Sequence, residues 1–197
     1  MMFRNSIMIN GMLCSLEASN YLNKGHIETL EDCDKYLMSK IFMPGAKSPF
    51  LGYFWETGAL PIRFVLMGRR ILFLWSILQK DRNQLVKQIF DLQLLCPINF
   101  DWINQVKNDL IQCDLEFNEE IIKGYSKSKF KALVKRKIKK LAYDFFLENK
   151  SAKAMKLTDY SFQEYLSSHL LTLKQKRLLY QFRVRMVQSI HDNFKNY

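Results

Sequence analysis

Residues 127–143 read Lys127-Ser-Lys-Phe130-Lys-Ala-Leu-Val-Lys135-Arg-Lys-Ile-Lys-Lys140-Leu-Ala-Tyr143, with eight basic residues in the fourteen positions 127–140. Set at 100° per residue, Phe130, Leu133, Val134, Ile138, Leu141 and Phe145 fall on one arc. Lys129, Lys131, Lys135, Arg136, Lys139 and Lys140 take the opposite arc, and Lys127 and Lys137 lie outside that division. The spacing predicts a helix opened by Ser126, one face in a core and the other a ladder of cations that suits a phosphate backbone. A solvated face, a membrane-surface helix and a calmodulin-type target compete with that reading. A solvated face would mix Glu with Lys at i,i+4, and no acid occurs here before Asp144, so a nucleic-acid surface is favoured.

The same period runs through the rest of the chain. Ile9, Met12, Leu13 and Leu16 predict a helix from Ser6 to about Tyr21, and Ile27, Leu30, Leu37 and Ile41 a second one with Glu28, Glu31, Asp32 and Lys35 on its polar side. Pro44-Gly45 and Ser48-Pro49 mark a loop. Ser48 is placed to cap a short helix beginning at Pro49, which Gly58 closes in a left-handed turn. The most apolar run, Pro61–Leu78, contains Arg63, Arg69 and Arg70. Each would cost about 2.5–3.5 kcal/mol at the centre of a membrane helix, so the run reads as a buried central helix with no membrane span. Its arginines are expected to snorkel outward, pair with acids or meet phosphate.

Residues 82–93 predict a helix with Leu85, Val86, Ile89 and Leu92 inward, ended by Cys96-Pro97. Asp101 is placed to cap a helix through Trp102, Ile103, Val106 and Leu110, and Asn118-Glu119-Glu120 starts a short one that stops at Gly124. Thr172-Leu-Lys-Gln175 is a capping-box pattern. The helix after it should turn Leu178, Leu179, Phe182 and Met186 inward and Lys174, Arg177, Gln181, Arg185 and Gln188 outward, a second basic face that would extend the first across a duplex. Nothing alternates with period two, and seven Gly and four Pro in 197 residues are too few for the turns of a sandwich or barrel. The expected class is all-α: an irregular helical bundle, with thumb-like helices over 1–60, a buried helical core and acidic strip over 61–122, and a basic helical linker region over 123–197.

The formal charge of +11 is unevenly spread. Residues 1–60, 61–97, 98–122 and 123–197 carry −1, +4, −5 and +13, so an acidic strip from Asp101 to Glu120 separates two basic regions. Four cysteines at 14, 33, 96 and 113 form no Cys-x-x-Cys pair, which speaks against a zinc knuckle and for reduced core thiols in an intracellular protein, nuclear or cytoplasmic. The interrupted apolar stretch Ile7–Leu16 reads against a signal peptide. His26, His169 and His191 have no ligand partners at metal spacing, Gly11, Gly58 and Gly68 belong to no phosphate-cradling loop, and Asp32 with Asp34 and Glu119 with Glu120 read as solvated helix faces. No nucleophile, base and orienter assemble, so no enzyme, cofactor or metal is expected.

One resemblance spans nearly the whole chain. It is carried by Ser6-Ile-Met-Ile-Asn10, Leu16-Glu17-Ala18, Leu30-Glu31, and Glu56-Thr57-Gly58-Ala59-Leu60-Pro61-Ile62-Arg63-Phe64 with Arg69-Arg70, this last block being the most specific. It continues through Gln93, Asp101-Trp102, Asp109-Leu110, Ser126-Lys127, Phe130-Lys131, Ser151, Lys153, Tyr160, Tyr165-Leu166, Arg183, Arg185 and Asn193-Phe194. These residues resemble the stretch after the reverse-transcriptase palm in non-LTR retrotransposon polyproteins, in the Dong-like branch with a restriction-like endonuclease. The resemblance implies a helical thumb that grips template and primer, followed by a helical linker. The family's aromatic-x-Asp-Asp signature, Cys/His knuckle and nuclease carboxylates have no counterpart here, and Ser19 stands where family members often carry Trp. The expectation is a non-catalytic thumb and linker fragment that binds RNA or DNA through its backbone. Its contacts would be Lys131, Lys135, Arg136, Lys139 and Lys140, supported by Arg63, Arg69, Arg70, Arg177 and Arg185. Missing thumb partners would leave the Pro61–Leu78 helix poorly covered and promote self-association through it. The competing expectation is a helical protein-interaction module, or an orphan relic without selected function.

Overall fold

The computed structural model describes residues 4, 8–19, 22–42, 50–96, 102–148, 161–180 and 183, and among them it contains helices and turns but no strand. In chain order these are α1 (Ile9–Met12), a 3-10 turn (Leu16–Ala18), α2 (Lys24–Phe42), α3 (Phe50–Thr57), α4 (Ile62–Leu78), α5 (Leu85–Leu95), α6 (Trp102–Gln112), α7 (Glu119–Gly124), α8 (Lys127–Glu148), α9 (Glu164–Ser167) and a last helix, α10, over 173–180. The fold is all-α, as the helical period requires. No described helix is long and apolar enough to cross a membrane. The expectations at Ser48, Pro49, Pro97, Asp101, Gln181, Phe182, Arg185, Met186, Gln188 and His191 lie outside the described residues, as do the quoted Ser6, Ser151, Lys153, Tyr160 and Asn193-Phe194.

The chain divides into two packing units, the first from residues 1–28 and 62–141 and the second from 29–61 and 142–197. The first is built around α4, whose Ile62, Phe64, Leu66, Met67, Ile71, Leu74, Ile77 and Leu78 are all buried. The expectation of a poorly covered helix is therefore reversed: α4 packs against the 3-10 turn, α5, α6 and α7. Gly68 faces α8 so closely that a Cβ there would meet Ile138 Cγ1 at 3.7 Å. Phe130, Val134 and Ile138 are buried as their arc demands. Trp102, Ile103, Val106 and Leu110 of α6 are buried too, with the Trp102 ring edge-on to Phe73 and its indole N–H donating to the Glu17 carbonyl.

The first expected helix is interrupted. After Met12 the chain turns, Ser15 takes φ +60°, and the Leu13 carbonyl leaves the helical ladder to accept from Leu16 N–H at 3.2 Å and Arg69 Nη1 at 3.4 Å. An interior partner thus outweighs the local helical period. A second correction concerns α5. Leu85, Ile89 and Leu92, expected inward, are exposed, Leu85 by 70%, while Phe90 and Lys87 are buried roughly 150° round the helix. Lys87 tolerates this because its ammonium lies 2.8 Å from Asp91, 3.5 Å from Glu119 and 4.5 Å above the Phe90 ring.

The second unit centres on α3, which buries Tyr53, Phe54 and Trp55. Trp55 stacks on Tyr143 and meets Phe146 edge-on, Phe54 stacks on Phe146, and Tyr53 lies parallel to Tyr180 with ring centroids 5.1 Å apart. Gly58 ends α3 at φ +60° and the Ala59 N–H reaches back to the Phe54 carbonyl, the expected left-handed closure. A Cβ at Gly58 would stand 2.9 Å from the Phe162 backbone nitrogen, so close approach as well as φ selects glycine. The capping box forms reciprocally, Thr172 N–H to Gln175 Oε1 at 2.8 Å and Gln175 N–H to Thr172 Oγ1 at 3.3 Å. Leu178 and Leu179 are nevertheless exposed, because α10 buries its Tyr180 side and donates Lys176 Nζ to the Leu166 carbonyl.

Candidate nucleic-acid interface

α8 carries the expected division of faces. Lys131, Lys135, Arg136, Lys139 and Lys140 are exposed along the helix whose other side buries Phe130, Val134 and Ile138. Ser126 Oγ accepts the Lys129 N–H at the start of the helix. No carboxylate among the described residues pairs with Lys131, Lys135, Arg136 or Lys140. Lys137, which fell outside the clean division, points elsewhere and lies 3.6 Å from Asp114.

That pair belongs to a pattern invisible in the sequence. The acidic strip supplies counter-ions from the interior to the surface: Asp109 takes the buried Arg70, the partly exposed Glu119 takes Lys87, and the exposed Asp114 takes Lys137. The Arg70–Asp109 pair is a buried fork, Nε to Oδ2 at 2.7 Å and Nη2 to Oδ1 at 3.0 Å. Burial outweighs the arginine's pull and raises the Asp109 pKa above its ordinary value. Arg70 is thus corrected from a phosphate contact to a structural partner, because its buried guanidinium gives Nε and Nη2 to Asp109. Arg69 is half-buried, bonded to Asn10 Oδ1 and the Leu13 carbonyl, and Arg63 is also half-buried on α4. Arg177 belongs to the second unit, half-buried on α10, and Arg185 lies outside the described residues.

Several residues quoted for the resemblance meet one another inside their own unit. In the first unit Arg69 holds Asn10 and Arg70 holds Asp109. In the second, Glu56 accepts two bonds from Arg183 and one from Tyr165 Oη at 3.1 Å. The Arg70–Asp109 and Glu56 contacts are buried or half-buried and the Arg69–Asn10 contact is exposed, and each ties distant segments together.

Two further expectations change. Cys14, Cys33 and Cys96 are exposed, and only Cys113 is a core thiol, 3.8 Å from Met67 Sδ. Burial, reinforced by Asp109 and Asp114 and opposed by Lys137, pushes it up to about 12. Glu31 and Asp34, placed on solvated faces of α2, are buried. Among the described residues no three His, Cys, Asp or Glu side chains gather as a metal ion would require.

Sequence reasoning missed a cleft of about 470 Å³ in the first unit, where Lys80, Arg82 and Lys123 come together with Glu120 beside the buried Lys87. The net +4 of residues 61–97 was its only trace in the sequence. Compared with known protein families, curated proteins and solved structures, the chain matches none.

Proposed function

We propose that this chain binds the phosphate backbone of RNA or DNA without sequence preference and without catalysing a reaction, as a thumb and linker element similar to that of a retrotransposon reverse transcriptase. The observation that carries this reading is the α8 surface, where Lys131, Lys135, Arg136 and Lys140, with no carboxylate partner among the described residues, follow one another along the side opposite a buried apolar arc. Successive ammonium and guanidinium groups on a rigid helix neutralise successive phosphates and release their counter-ions. The resemblance supports a template–primer or target duplex as the polyanion.

Fluorescence anisotropy with labelled duplex and single-stranded oligonucleotides tests the reading. Log affinity should fall linearly with log salt, with a slope of about −0.9 per phosphate contact on duplex DNA, and should not vary with sequence. Joint replacement of Lys131, Lys135 and Lys139 by Glu should abolish binding at physiological salt. Affinity unchanged by salt or by that variant overturns the reading.

A second reading, a helical protein-interaction module, is favoured by the exposed stripe of Leu85, Ile89 and Leu92 on α5. A second copy of the chain is its simplest occupant, since the stripe is interspersed with the uncharged Gln88 and Gln93. Sedimentation velocity that shows association lost on Leu85→Lys with Leu92→Lys supports it, and a concentration-independent monomer removes it.

A further inference from the structure

We propose that the cleft holding Lys80, Arg82 and Lys123 is a separate binding site for a phosphate monoester that carries hydrogen-bond donors, a nucleotide by chemistry, independent of the α8 face. The cleft is a product of the fold. Gln79 Nε2 donates to the Lys123 carbonyl at 2.9 Å and Trp75 Nε1 to the Tyr125 carbonyl at 3.1 Å, which fastens the end of α4 to the α7–α8 junction. Asn118 caps α7 through its side chain, accepting the Ile121 N–H. Two cations just beyond α4 therefore meet a third at the end of α7, more than forty positions later in the sequence.

The charges around the cleft are sorted. Lys87 is buried and satisfied by Asp91 and Glu119, so it anchors the wall and is not available to a ligand. Lys80, Arg82 and Lys123 are exposed, and no carboxylate among the described residues pairs with any of them. With the lining Asp91 and Glu119 engaged by Lys87, three cations on one cleft suit a dianionic phosphate better than a single diester charge. Glu120 is exposed and likewise without an ion-pair partner among the described residues, and it would repel a bare anion. Against a ligand that presents amino or hydroxyl donors beside its phosphate, the same carboxylate becomes an acceptor. The volume of about 470 Å³ lies within the range of about 300–1,000 Å³ common to small-ligand sites.

The shared chemistry has two sources, a free nucleotide and the phosphorylated end of a strand. Amide NMR spectra of the full chain, titrated with adenosine 5′-monophosphate, adenosine and inorganic phosphate, test the site. The monophosphate should shift residues 79–82 and 119–124, and adenosine should not. Arg82→Ala and Lys123→Ala should each weaken binding by about tenfold with an unchanged melting temperature, as both side chains are exposed. Glu120→Ala should erase the preference for the nucleotide over inorganic phosphate. The variant with Glu at 131, 135 and 139 should bind the monophosphate as the parent does, which separates failure of this site from failure of the α8 reading. In that variant, preference for a 5′-phosphorylated over a 5′-hydroxyl oligonucleotide assigns a strand end, and its absence a free nucleotide. Unmoved amides with both monophosphate and phosphorylated oligonucleotide overturn the proposal, as does unchanged affinity in Arg82→Ala and Lys123→Ala.

Discussion

Arg183 grips Glu56 across 127 positions of sequence with two parallel hydrogen bonds, Nε to Oε2 at 2.9 Å and Nη2 to Oε1 at 3.1 Å. Glu56 is almost wholly buried, and Tyr165 Oη and the Gln163 backbone N–H bond to the same residue. One carboxylate and its own backbone carbonyl therefore hold the end of α3, the approach to α9 and the Arg183 segment together.

Arg183→Ala leaves that carboxylate buried with Tyr165 Oη as its one remaining side-chain donor among the described residues. Breaking a buried pair costs about 3–5 kcal/mol, and the partial exposure of Arg183 places the expected loss near the lower end. Glu56→Gln, which keeps the shape and one acceptor oxygen, should lose less. Urea denaturation of the two variants checks the order, and equal losses would contradict it.

At Arg70 and Asp109 the single and double substitutions should diverge. Asp109→Ala strands a buried guanidinium and should cost about 3–5 kcal/mol, whereas Arg70→Met combined with Asp109→Leu should recover most of that stability. The pH dependence carries a sign. Because folding raises the Asp109 pKa above 3.8, its contribution is fully present below that value and is lost as pH rises through the folded pKa. The double variant should lack this falling component when its denaturation midpoint is compared with the parent's across mildly acidic pH.

The thiols should separate by reactivity and by alkaline stability. Cys14, Cys33 and Cys96 should be alkylated by iodoacetamide in the native protein and Cys113 only on unfolding, as read by mass spectrometry. Folding lifts the Cys113 thiol from 9.0 to about 12, so its stabilising contribution is present below pH 9 and is lost as pH rises toward 12. Cys113→Ala should flatten that part of the alkaline decline, measured as the difference between variant and parent.

The helical elements were legible because long periodic arcs decide burial when both sides of a helix are distinct. On α8 the apolar arc Phe130, Val134 and Ile138 went inward and the cations outward, as spacing alone required. The reading failed where burial depends on a partner from elsewhere. Lys87 is buried in the first unit between Asp91 of its own helix and Glu119 of α7, while Leu85, Ile89 and Leu92 face solvent. Tyr180 similarly sets the orientation of α10 by stacking on Tyr53, against the leucine pattern. Arg70 could be expected to find an acid, but nothing local names Asp109. The cleft at Lys80, Arg82 and Lys123 was hidden for the same reason, since its cations become neighbours only through the bonds from Gln79 and Trp75.

The acidic strip has an effect beyond the interior. A cation paired with an acid within 4 Å is a dipole, and its field decays faster with distance than that of a lone charge. At about one Debye length, roughly 8 Å in physiological salt, the pairs at Asp109, Asp114 and Glu119 contribute little potential. Lys131, Lys135, Arg136 and Lys140, which no carboxylate among the described residues pairs, still act there as monopoles. The far field of the first unit is therefore set by charges without an ion-pair partner among the described residues, those four cations with Lys80, Arg82 and Lys123 on one side and Glu116 and Glu120 on the other, and little by the charges that the strip pairs.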